Sequence, residues 1–338
     1  MKENRRKKAT LLFMLVAVFC LVTGCGANEE NKEQAKGTTE PSSHYPVTIT
    51  TYTFEGEEVT TVYEKAPERV LAVYQGSIET MLALGLEDRM IAAAGLDNEV
   101  EESLKEAFDK VNYLDEFTPS KETAISLQPD LILSWGSIFN ETKLGDVDYW
   151  ISSGCNTYIN SNTRRNYSER TLENEYTDIL NLGKIFDVEE KAEKIVAQMK
   201  ADVEAAKAEA EKQENEKTVL VIEFLGDSIT NYGASSLAGD MVTSLGAKLS
   251  APEATNLGKE DIVSLNPDEI FVVYMAYSGE DGEDVKATHL GYLLDDEAFA
   301  SLSAVKEGNV HAIMLGDMFA SGIRTQNGIK EFAKGIYE

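Results

Sequence analysis

Two stretches that start 138 residues apart repeat one pattern: residues 122–133 read ETAISLQPDLIL and residues 260–271 read EDIVSLNPDEIF. Glu, Ser, Leu, Pro, Asp and Ile recur at matching positions. Each copy opens on a carboxylate, runs as a short helix, breaks at Pro-Asp and continues into an apolar run. Proline excludes the residue before it from right-handed helical geometry, so each copy predicts helix, turn and buried strand. A long-range duplication of this kind points to two similar lobes rather than one enlarged core.

The segments around the repeat agree. VTITTY and EVTTVY, on either side of residues 53–57, alternate and are rich in β-branched residues, which predicts a hairpin. Strands are expected at 69–73, 91–94, 131–134 and 156–159, with helices at 78–84 and 169–186. After residue 217 the order begins again, with strands at 218–224 and 310–315, the second repeat copy with its strand over 260–275, and helices at 238–245 and 329–336. Alternation of strand and helix predicts an α/β fold with mostly parallel sheets covered on both faces. Residues 188–216 are dense in Ala, Glu and Lys without Gly or Pro, and predict one long helix joining the lobes. The expected organisation is a first lobe over 45–187, a connecting helix over 188–216 and a second lobe over 217–338.

The N-terminus addresses the chain. Lys2, Arg5, Arg6, Lys7 and Lys8 precede an uncharged stretch from Ala9 to Thr23. A basic start and a short apolar run have the form of an export signal, and the run is too short to span a bilayer comfortably. The block LVTGC at 21–25 resembles a bacterial lipobox, which implies cleavage after residue 24 and diacylation of Cys25. Two acyl chains hold a protein firmly where one does not. Residues 26–44 lack large apolar side chains almost entirely and read as a solvated tether. With Cys20 in the leader and Cys25 acylated, Cys155 alone remains, so no intramolecular disulfide is expected. His44, His289 and His311 stand singly, which argues against a His-built metal centre. A formal charge of −28 disfavours nucleic acid and anionic lipid headgroups as partners.

Residues 66–95 (APERVLAVYQGSIETMLALGLEDRMIAAAG), both repeat copies, 176–195 and 302–313 together resemble the substrate-binding proteins of iron–siderophore, haem and cobalamin ABC importers. The resemblance spans about 45–338. It implies two Rossmann-like lobes bridged by a rigid helix, a ligand cleft between them, and no catalysis. It implies a monomeric lipoprotein on the outer face of the cell membrane, with no intrinsic cofactor. It also implies docking onto an ABC permease dimer through one carboxylate per lobe, which places Glu122 and Glu260 in that role.

Ligand contacts are expected from loops at the carboxyl ends of strands: 74–77, 135–139, 160–170, 226–232, 275–277 and 317–324. These loops carry Tyr74, Trp135, Tyr232, Tyr277 and Phe319 as aromatic walls. They also hold Arg164, Arg165, Arg170 and Arg324, four of the six arginines that follow the leader. Guanidinium groups bind carboxylate and catecholate oxygens bidentately, so an anionic Fe(III)–siderophore complex is the expected ligand. Haem, for which Tyr74, Tyr232 or Tyr277 would be axial, or a corrinoid is the alternative. The block FLGDSITN at 224–231 resembles a GDSL-esterase nucleophile, but neither His289 nor His311 follows an Asp three residues earlier, and Asp227-Ser228 reads as a turn at the cleft.

Overall fold

The computed structural model describes residues 44–165 and 169–338. Cys25, the leader and most of the tether lie outside them. An antiparallel hairpin, β1 (Val47–Tyr52) and β2 (Glu58–Tyr63), opens the described chain. It adjoins a parallel four-stranded sheet of β3 (Val70–Val73), β4 (Met90–Ala94), β5 (Leu131–Ser134) and β6 (Asn156–Ile159), ordered β4-β3-β5-β6. Every residue of β3 and β5 is buried, as expected for central strands covered on both faces.

The second sheet repeats this plan. β7 (Thr218–Leu225), β9 (Lys248–Leu249), β10 (Glu269–Tyr274) and β11 (Val310–Met314) pair in parallel in the order β9-β7-β10-β11. The addition is β8 (Ser228–Asn231), antiparallel to the end of β7. It corrects the expected loop at 226–232: the apolar Ile229 turns inward, and the chain doubles back as a strand. The turn at Gly226 and Asp227 borders a hollow with Phe224, Lys259 and Tyr292, away from the cleft between the lobes.

The duplicated sequence forms duplicated structure. Helices Lys121–Leu127 and Lys259–Leu265 each span seven residues and each end on a left-handed residue, Gln128 (φ 51°) and Asn266 (φ 41°). The following Asp then reaches sideways. Asp130 accepts the backbone N–H groups of Glu68 and Arg69 at the entry to β3, both at 2.9 Å. Asp268 accepts from the N–H of Thr218 at 2.8 Å and its hydroxyl at 2.6 Å, at the entry to β7. One carboxylate therefore pins the first strand of each parallel sheet to the third.

The joining helix runs over Glu189–Ala210, shorter than expected because 211–216 (EKQENE) offers no apolar side chain to pack. Its buried stripe of Ala192, Val196, Met199, Val203 and Ala206 lies against helix Leu172–Ile185 of the first lobe and the C-terminal helix Thr325–Tyr337. The second lobe does not keep to itself. Its segment 319–324 crosses onto the first lobe, where the turn Gly322–Arg324 packs on helix Gln75–Ala83. Gly322 has φ 58°, and a Cβ there would stand 2.5 Å from Thr80 Oγ1 and 2.7 Å from the carbonyl of Gly76. Only glycine permits that approach.

Candidate functional site

Between the lobes lies a cavity of about 350 Å³. The first lobe contributes Gln75, Gly76, Asp97, Asn98 and Trp135, and the second Tyr232, Met275, Tyr277, Leu315, Gly316 and Phe319–Ser321. All but Tyr232 follow the carboxyl end of a parallel strand, where open α/β sheets leave their crevices.

Its wall is an aromatic ladder. Phe117, Tyr74, Trp135 and Phe319 follow one another with ring centroids 5.9, 5.1 and 5.9 Å apart. Tyr74 is only 6% exposed and supports Trp135 from behind rather than facing the cavity. It sits at φ 72°, ψ 154°, a region that costs a non-glycine residue of order 1–3 kcal/mol. Its hydroxyl meets Thr118 Oγ1 at 3.1 Å. Trp135 Nε1 is buried without a hydrogen-bond partner among the described residues. Tyr232 donates its hydroxyl to Glu223 Oε2 at 2.6 Å, and burial, that bond and the Glu223 charge all push its phenol pKa up. Tyr277 is 56% exposed at the mouth.

The four arginines are not brought together. Arg164 stacks 4.1 Å from the Tyr52 ring centroid and donates from Nε to the Ser161 carbonyl. Arg165 lies over Phe54 at 4.8 Å and pairs with Glu55 at 3.4 Å. Both dress the β1–β2 hairpin, and neither lines the cavity. Arg170 stacks at 4.5 Å on the cavity-lining Phe319 and donates from Nε to the Asn162 carbonyl. No carboxylate among the described residues lies within ion-pair distance of it. Arg324 corrects the expectation of a ligand contact. It is 5% exposed, and its Nε and Nη2 donate to the two oxygens of Glu79 at 2.5 and 2.8 Å. Glu101 and Asp317 lie 3.9 and 3.8 Å from its Nη1. A buried guanidinium surrounded by carboxylates is a joint between lobes, not a ligand group.

The same junction holds buried acids. Glu175 accepts from Gly322 N at 2.7 Å and Asn162 Nδ2 at 2.6 Å, yet burial pushes its carboxyl up to about 8. Burial likewise pushes Asp317 up to about 7, against the lowering pull of Arg324. Unfolding would return both to about 4, so across the interval the folded chain holds protons that the unfolded chain has lost. Stability conferred by these protons is complete below about pH 4 and is lost as pH rises through 7 to 8. Melting temperature should therefore fall from pH 6 to pH 8, and Glu175→Gln should flatten that slope. Identical slopes in both proteins would refute the assignment.

Glu122 and Glu260 stand exposed at the second position of the two repeat helices. Neither forms an ion pair among the described residues. Sequence reasoning missed Asp97 and Asn98, although the loop after β4 obeys the same strand-end rule as the loops it named.

The periplasmic binding protein family model matches residues 70–314. The chain belongs to that family. A periplasmic binding protein from Veillonella parvula DSM 2008 superposes with a TM-score of 0.80 at 32% identity, covering 86% of this chain and 92% of that one. YvrC, an ABC transporter substrate-binding lipoprotein of Bacillus subtilis, is 26% identical over 98% of both chains. The iron-uptake system-binding protein of the same organism is 26% identical over 90% of both. Family members are extracytoplasmic binding components of transport, not enzymes, and an ABC permease is the partner of the class. Ser228 accordingly belongs to the β7–β8 hairpin, while His289 meets the Val273 carbonyl and His311 meets Glu269. No helix of the described residues is long and apolar enough to cross a membrane.

Proposed function

We propose that this protein captures a ferric siderophore complex between its lobes and hands it to a dimeric ABC permease. The observation that carries the reading is the aromatic cavity built jointly by two like lobes, with Trp135 and Phe319 facing across the junction. Relatives in Bacillus subtilis that are named Fe(3+)-citrate-binding and iron(3+)-hydroxamate-binding proteins support the ligand class. Trp135, Phe319, Tyr232 and Tyr277 form the walls, with Arg170 at the rim and Tyr74 behind Trp135. In the same reading the chain is monomeric, Cys25 carries the lipid that tethers it, and Glu122 and Glu260 meet basic residues of the permease.

Titration of the purified protein with ferric hydroxamate, catecholate and citrate-type chelates, haem and cobalamin tests the assignment by tryptophan emission. Trp135 is the reporter, while Trp150, 3% exposed and bonded to the Leu144 carbonyl, serves as internal reference. One ferric chelate should quench saturably, and Trp135→Ala, which lacks the reporter and is titrated by calorimetry instead, should bind it about tenfold or more weakly, as expected for loss of an aromatic platform. Binding confined to haem would favour the alternative ligand, with Tyr277 as the accessible phenol; binding confined to cobalamin would favour a corrinoid. No saturable quenching by any of them would defeat the reading.

A further inference from the structure

The cavity contains a negative group that no described residue answers. Asp97 lines it beside Met275 and Tyr277. Its side chain has no hydrogen bond and no ion pair with any described residue, and burial alone raises its pKa. A half-buried carboxylate without a partner carries a desolvation penalty that a bound cation would relieve.

Asn98 adds a second, independent sign. It is 3% exposed, and its Nδ2 is committed across the junction to the Ala276 carbonyl at 2.6 Å. Oδ1 therefore points the other way and has no donor among the described residues. It faces Gly316, another cavity residue, where a Cβ would stand 2.5 Å from the oxygen. A side chain at 316 would collide with that oxygen, so glycine leaves an unanswered acceptor in the wall. The loop is fixed from both sides, because the Asp97 carbonyl accepts from Ser278 N at 3.0 Å. Two uncompensated acceptors are thus held at the lobe junction. Arg170, stacked on the cavity-lining Phe319, places a cation beside the same cleft.

We propose that Asp97 seats a positively charged nitrogen of the ligand, so the cleft favours a ferric chelate that carries a protonated amine. The inference rests on the reading of the cleft as a chelate site. Arg170 would take an anionic oxygen of the same ligand, and the bound species is then bipolar rather than uniformly anionic.

Calorimetric titration of the full-length protein in mild detergent separates the two ideas. The probes are the iron(III) complex of desferrioxamine B, whose free terminal amine is protonated, and the same complex with that amine acetylated. The free-amine complex should bind at least about tenfold more tightly, as a charge-assisted hydrogen bond requires. Asp97→Asn should bring the ratio close to one by weakening the free-amine complex alone. Equal affinities in the parent protein, or a ratio that survives Asp97→Asn, would overturn the Asp97 assignment. If both complexes bind equally and both weaken in Trp135→Ala, the cleft reading stands and the Asp97 seat falls. If neither complex binds, the Asp97 seat falls and the cleft reading is decided by the wider chelate titration; if both bind but neither responds to Trp135→Ala, the cleft reading fails and takes the seat with it.

Discussion

Replacing Arg324 with methionine is expected to cost the folded protein about 3–5 kcal/mol, because it leaves a buried charge without its partner. At the entropy change typical of a domain this size, that is a fall in melting temperature of roughly 5–8 °C. The Glu79 side chain is fully buried, and besides Arg324 its carboxylate has only Gln75 Nε2 and Glu101 N as donors among the described residues. Losing the guanidinium also removes the cation nearest Glu101 and Asp317. The double variant Glu79→Met, Arg324→Met should recover much of the loss, since an apolar pair carries no desolvation cost. Thermal melts of the three proteins decide this. A single variant as stable as the parent, or a double variant worse than the single, would show that the pair is not what holds the junction.

The second large effect concerns delivery rather than stability. Reversing both repeat glutamates, Glu122→Arg with Glu260→Arg, should reduce uptake of the iron complex to background while leaving chelate affinity unchanged. Juxtaposed like charges at a docking surface cost several kcal/mol. Each single reversal should fall between, because a two-fold partner would keep one correct contact. Cellular uptake of radiolabelled iron alongside the chelate titration gives both readouts. Transport that survives the double reversal would remove these residues from the docking role. Both carboxylates are exposed, so the substitutions carry little risk to folding.

Much of the scaffold is legible in the chain because its signals are local. β3, β5 and β6 are short β-branched or leucine-rich runs, and the Pro-Asp breaks at 129 and 267 mark where two of the strands begin. What escapes is what depends on distant partners. Ile229 and Asn231 carry too short an alternation to announce β8, which exists because β7 offers it an edge. The arginines mislead for the same reason. Composition places four of them on candidate loops, yet whether a guanidinium meets a ligand or Glu79 is decided by residue 79, which lies 245 positions away. Asp97 and Asn98 hide differently: their loop is unremarkable until Ala276 and Ser278 of the other lobe fix it beside the cavity.

The crossing of segment 319–324 onto the first lobe also sets an order of events as the chain folds. Glu79 and Glu175 are buried only once Arg324 and the Gly322 amide reach them, and both partners come from the last twenty residues. A nascent chain that has completed its first sheet therefore still holds two carboxylates that must remain in water. The Glu79–Arg324 contact joins residues 245 positions apart, and the first lobe gains it only when that non-local step occurs. A first lobe that keeps two carboxylates in water until that distant segment arrives suits a chain that crosses a membrane before it folds.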